Sequence, residues 1–309
     1  MVEITLVIIS AVIGAGFATG AELVAFFGGS ALPAWATAIL VAVFTMVFMS
    51  ILIFCKKRQT RVTRAIFTTT YVLIFIVMAA GLRAIAGLPT MLVSLVFCCL
   101  IVFWGMGGLL RVNKYMMYFV LAILLIVCFG NLGGSGTIEV KTSVGQSVFN
   151  CLIYAGLNCC ILERTLSQLQ TAHSRKRVVI ACGLAVAVIG ALVCLILTTF
   201  ACTGVSAEMP ILELSNNIIT KSAVFFCILT SMMICLFNIS TRLPLCVFVC
   251  GLAFGFSFFG FGSLLGGVYR LIGVFMVLYC CGLGLFHLFR RNRFVVDNAV
   301  DCLQIVQDK

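Results

Sequence analysis

The sequence predicts an all-α membrane protein of about ten transmembrane helices, and three observations carry that prediction. Hydrophobic residues make up 63% of the 309 residues and charged residues only 9%, with a mean hydropathy of +1.26. A soluble domain carries about 25% charged and about 45–50% apolar residues, so no water-soluble fold could cover this much apolar side chain. The apolar residues fall into runs close to the about 20 residues that cross about 30 Å of hydrocarbon. Finally, the basic residues gather in alternate links between those runs. Ten spans leave only short connections, which excludes a receptor with a folded ectodomain and an enzyme with a separate catalytic domain.

The first run, 4–27, has the hydrophobicity of a signal peptide but carries Glu3 in place of a basic n-region and is too long, so it is expected to remain as a span. The other runs are 33–54, 65–85, 89–106, 115–129, 144–162, 178–201, 223–239, 245–259 and 264–289. With the N-terminus placed in the cytoplasm, only Arg83, Lys141, Lys221 and Arg270 of the twenty Lys and Arg residues fall outside or in the outer half of a span. That is a positive-inside bias, and it puts both termini of a multi-pass chain in the cytoplasm. The formal charge of +11 is thereby explained by insertion into a bilayer, with no nucleic-acid partner. The 17 cysteines lie almost wholly inside the runs and read as small, soft packing residues.

Two links have character of their own. Gly130 to Gly136 reads as a flexible outer loop, and Ser206 to Leu214, with its early Pro210, as a short helix over the outer face. Beyond Phe294, Val296, Val300, Leu303 and Val306 recur at helical spacing and predict a cytoplasmic surface helix.

Span one contains Gly14-Ala15-Gly16-Phe17-Ala18-Thr19-Gly20, followed by Glu22. Each glycine weakens a helix by about 1 kcal/mol relative to alanine, and a bilayer helix opens only where protein or water satisfies the freed backbone. Gly16 and Gly20 also form a small-xxx-small pair that would serve close helix packing alone. Against that stands Glu22, because a carboxylate at mid-membrane costs about 2.5–3.5 kcal/mol and marks function by default. Glu22 is read either as part of an outer gate with Arg83 and Arg270 or as a proton carrier. Span six offers a counterpart in Tyr154-Ala155-Gly156-Leu157-Asn158, followed by Glu163. It opens the second group of five spans. Five is odd, so the second repeat lies inverted relative to the first, and interrupted helices at matching positions point to a secondary transporter's binding site.

The stretch from Ile13 through Glu22 resembles the opening signature of the YkvI-type membrane proteins. These bacterial proteins are similar to members of the amino acid–polyamine–organocation transporter superfamily. Tyr154 to Asn158, Glu208-Met209-Pro210-Ile211-Leu212 and Ser240-Thr241 add to the resemblance, which follows most of the chain in span order. It implies the five-plus-five inverted-repeat fold of LeuT, with helices one and six discontinuous. The repeats would be 1–130 and 143–293, joined by an external loop, 131–142, and followed by a cytoplasmic tail, 294–309. The resemblance further implies a substrate site at Gly14, Ala15, Gly16 and Phe17 of span one and Tyr154, Ala155, Gly156 and Asn158 of span six. In sodium-coupled relatives a cation lies between spans one and eight, which here implies Ser10 and Ile13 carbonyls facing Ser240 and Thr241 hydroxyls. Arg242 would repel such a cation, and helix-terminal hydroxyls commonly bond the preceding turn instead.

The expected function is secondary active transport of a small polar solute, an amino acid or related zwitterion, across a bacterial cytoplasmic membrane. The coupling ion would be sodium or a proton, with no other cofactor. A channel, or a non-transporting sensor on a transporter fold, is the alternative. An enzyme is not expected: His173 and His287 lack acidic partners, and Cys159 and Cys160 have no histidine in their motif.

Overall fold

The structure is a computed structural model that describes residues 1–55, 60–134, 136, 140–204, 209–239 and 243–307. The described chain is almost entirely helical. Seven helices are long and apolar enough to cross a membrane. Their surfaces are those of a membrane protein: on α4 (Ala34–Phe54), Ile39, Val43 and Val47 are half exposed at four-residue intervals, an apolar stripe that water would not tolerate.

The expected runs map onto the helices in order. Span one is three short helices, α1 (Val2–Val12), α2 (Ala15–Thr19) and α3 (Ala21–Phe27). Runs three and four form one element, α5 (Arg61–Phe103), whose two arms meet at Gly87. Gly87 has a φ of 80°, which only glycine adopts freely, and Pro89 follows it. Runs five to eight are α6 (Gly105–Gly130), α7 (Val144–Ala172), α8 (Arg175–Thr203) and α10 (Ile218–Ile239), with a short α9 (Pro210–Leu214) before the last. Run nine is α11 (Leu243–Phe256), closed by a tight turn at Ser257–Phe259, and run ten begins α12 (Phe261–Gln307). Ten expected spans thus become seven long helices because two runs merge and two are short. The expected tail helix continues α12 without a break.

One expectation is corrected. Span six is not discontinuous: α7 runs unbroken through Tyr154 to Asn158. It has one central glycine, whose cost of about 1 kcal/mol is small beside that of leaving backbone groups unbonded in hydrocarbon. Gly156 serves close packing instead. A Cβ there would lie 2.6 Å from the carbonyl oxygen of Gly273 on α12, and a Cβ on Gly273 would collide with the Ile153 carbonyl.

The packing partners recur in pairs. α7 packs on α4 and α12, while α1 packs on α8 and α6; α10 packs on α5 and α6, and α12 also packs on α5. The two ends of the bundle are distinct. Met1, Glu3, Leu169, His173 and Arg177 surround a cavity of about 460 Å³ at one end, where Lys114 and Glu3 form an ion pair at 3.3 Å. At the other end the chain at 28–33, the loop residues 136 and 141, and Gly204 meet.

Tyr71 marks the lower half of α7. Its hydroxyl donates to the Cys160 carbonyl at 3.2 Å and accepts from the Arg164 N–H at 3.1 Å, the two groups of one helical turn. A side chain sharing that pair loosens the turn. Tyr71→Phe is expected to return the turn to ordinary helix and to slow hydrogen exchange at the Arg164 amide; unchanged or faster exchange would contradict this.

Candidate functional site

The break in span one is real and has two parts. Gly14 is extended, with φ −95° and ψ −165°, and Gly20 is left-handed, with φ 77°. Glycine's tolerance of that second conformation explains why the chain can restart as α3 immediately afterwards. Because Gly14 donates its N–H to the Val12 carbonyl at 2.8 Å, the carbonyls of Ser10 and Ile13 lose their helical partners. Side chains of α10 replace them. The Ser231 hydroxyl lies 3.1 Å from the Ile13 carbonyl oxygen and 3.3 Å from that of Ser10. The Cys227 thiol donates to the Ile13 carbonyl at 2.9 Å. Thr230, next to Ser231, donates its hydroxyl to the Cys227 carbonyl at 2.8 Å.

The Ser10 and Ile13 carbonyl oxygens, the Ser231 hydroxyl and the Cys227 thiol thus converge between spans one and eight, while Thr230 bonds its own preceding turn. The uncharged oxygens of this set are ligands of the kind that suits a hard monovalent cation. The Ser10 and Ile13 carbonyls, expected as one side of a cation site, meet the Ser231 hydroxyl. Ser240 and Thr241, expected as its other side, and Arg242 lie outside the described residues. For Thr230 and Ser231, two adjacent hydroxyls within a buried apolar run were the available sequence signal.

Glu22 stands in the first turn of α3 and is 3% exposed. Its carboxyl folds back over Gly16: a Cβ on Gly16 would lie 2.6 Å from Glu22 Oε2 and 3.0 Å from Leu265 Cδ1. Gly16 is therefore a glycine because the carboxyl occupies its side-chain space. Tyr154 of α7 is fully buried, with its ring edge-on to Phe26 and Phe27 at 5.4 and 5.2 Å. Its hydroxyl lies beside both the Glu22 carboxyl and the Asn158 amide. Glu22 Oε1, the Tyr154 hydroxyl, and both Asn158 Oδ1 and Nδ2 are buried without a partner. Buried polar groups are otherwise almost always bonded, and four unsatisfied atoms around one helix break call for a ligand or water.

The remaining expected residues fall as follows. Gly14 packs near Met78 and Ser231, where a Cβ would come 2.9 Å from Met78 Cε. Phe17 and Ala155 are fully buried, and Ala15 begins α2. Arg83 donates to the Ser257 carbonyl at 3.1 Å and lies 3.8 Å over the Phe258 ring. Arg270 donates to the Ala25 carbonyl at 2.9 Å, tying α12 to the end of α3. The two arginines thus tie helices together, and neither forms an ion pair with Glu22. Among the described residues no group of three His, Cys, Asp or Glu is placed to hold a metal ion. No family model and no curated protein matches the chain.

Proposed function

We propose that this protein is a secondary active transporter of a small zwitterion, an amino acid or a near relative, working by alternating access. The observation that carries the reading is the set of unpartnered atoms on Glu22, Tyr154 and Asn158 beside the broken helix. A carboxylate and a carboxamide oxygen suit an ammonium group, while a phenol and a carboxamide N–H suit a carboxylate. Phe17 and Ala155 are buried in the same two spans, so the surroundings are apolar.

The helix packing supports a five-plus-five inverted repeat. Numbering the spans one to ten and exchanging each with the span five places away converts the α4–α7 contact into α8–α1. It likewise converts α12–α7 into α6–α1 and α10–α6 into α12–α5. All of these contacts occur. The signature from Ile13 to Glu22 favours the YkvI-type relatives within the amino acid–polyamine–organocation superfamily. The distribution of Lys and Arg favours a bacterial cytoplasmic membrane with both termini inside. For coupling, the Ser10 and Ile13 carbonyls with the Ser231 hydroxyl, joined by that of Thr230 on leaving its bond to the Cys227 carbonyl, would hold sodium, supplying a charge whose binding stabilises one conformation. Glu22 is the residue that would take up a proton instead. Chemistry on a substrate has no support: His173 and His287 are exposed, and Cys159 is buried with its thiol against the Thr45 carbonyl.

The test is a stabilisation screen of the purified protein against amino acids and related metabolites, followed by uptake into proteoliposomes. A ligand at about a hundredfold excess over its Kd should add about 2.7 kcal/mol of stability, and its uptake should saturate and show counter-transport. Conductance without saturation would replace the carrier with a channel.

A further inference from the structure

A larger cavity lies beside α3, the last piece of the broken span. It measures about 890 Å³ and opens between α3, the start of α4 and the end of α8. Neither Glu22, Tyr154 nor Asn158 lines it. One wall is apolar, with Phe27, Leu197 and Phe200. The other end is made of hydrogen-bond donors. The first turn of α4 opens there at Pro33 and Ala34, and this helix has no side-chain cap. The N–H groups of Ala34, Trp35 and Ala36 therefore have no acceptor within the helix, and its positive end faces the cavity.

A second observation points to a ligand at the same place. Thr37 lines the cavity and is 1% exposed, yet its hydroxyl has no hydrogen-bond partner. A helical threonine ordinarily bonds the carbonyl four residues back. Lys141 stands on the rim. Trp35, 62% exposed on the first turn of α4, is the kind of residue that sits at headgroup depth.

An apolar wall facing a few convergent donors is the form of a site for a molecule with an apolar body and a polar end. We infer that this cavity binds an amphipathic anion. Its carboxylate or phosphate lies on the first turn of α4 and the Thr37 hydroxyl, and its hydrocarbon lies along Leu197 and Phe200. The occupant comes either from the bilayer, as an anionic lipid, or from solution, as a free apolar carboxylate. This site is independent of the transport reading and stands if that reading fails.

The experiment uses the full chain in nanodiscs of phosphatidylcholine, titrated with decanoate and followed by thermal unfolding. Decanoate is expected to raise the Tm saturably, by about 5 °C at about a hundredfold excess over its Kd. Decanol, with the same tail and no charge, should give less than half that shift. Thr37→Val keeps the shape of the site and should weaken decanoate binding several-fold; Leu197→Trp fills the apolar wall and should abolish the shift. Adding phosphatidylglycerol to the discs separates the sources. A decanoate shift that shrinks identifies the lipid as occupant, and one that persists and still responds to Thr37→Val identifies a free carboxylate. Equal shifts from decanol and decanoate, or a full decanoate shift in either variant, would overturn the site.

Discussion

Glu22→Gln is expected to weaken substrate binding by about tenfold to a hundredfold while leaving the fold intact. The substitution preserves the shape of the side chain, so its fit over Gly16 and against Leu265 is kept. What it removes is the charge that would meet a substrate ammonium, and a hydrogen bond to a charged group is worth about 1.5–3 kcal/mol. Thermal unfolding of the variant without ligand should match the parent, which separates a lost contact from a lost fold. The pH profile then tells what else the carboxyl does. A proton carrier replaced by glutamine loses uptake driven by a pH gradient but retains exchange. A gate that pairs with Arg83 or Arg270 in another conformation leaks or slows at every pH. Binding and uptake equal to the parent at all pH values would leave Glu22 with no part in transport.

The second large effect concerns the oxygen cluster behind the break. Replacing Thr230 and Ser231 by alanine is expected to abolish any stabilisation of the purified protein by sodium, read against potassium at equal ionic strength. Each lost hydroxyl ligand should weaken the ion by about tenfold or more. Ser231→Ala alone also leaves the Ser10 carbonyl without its present donor and the Ile13 carbonyl with the Cys227 thiol alone. The potassium baseline must therefore be recorded for every variant. The companion variant, with Ser240 and Thr241 both replaced by alanine, should keep the full sodium shift. Sodium stabilisation that disappears in that variant and survives in the first would return the site to the end of span eight. A parent protein indifferent to sodium, yet active, would leave Glu22 and a proton as the coupling route.

These two experiments probe residues that stood out in the sequence to very different degrees. Glu22 was legible because an acid inside an apolar run is costly wherever the run is placed. Its role depends on Tyr154 and Asn158, which lie more than a hundred residues away. Their approach to the break was suggested only by a short Ala-Gly match. Thr230 and Ser231 were harder still. A hydroxyl in a membrane helix commonly bonds its own preceding turn, so the sequence alone gives no reason to prefer one pair over another.

The sequence by itself determined the quantities that are sums or periods along the chain. These are the length of the apolar runs, the gathering of basic residues in alternate links between them, and the weakness of a helix carrying three glycines in seven residues. Each follows from local chemistry and holds whatever the helices pack against. Only the tertiary structure decided where that weakness becomes a break. Span one opens because Cys227 and Ser231 of a distant helix take over its freed carbonyls. Span six, expected to open likewise, stays whole, and its Gly156 serves a close approach to Gly273. A helix in hydrocarbon breaks where partners exist for the groups it releases, and those partners come from other parts of the chain.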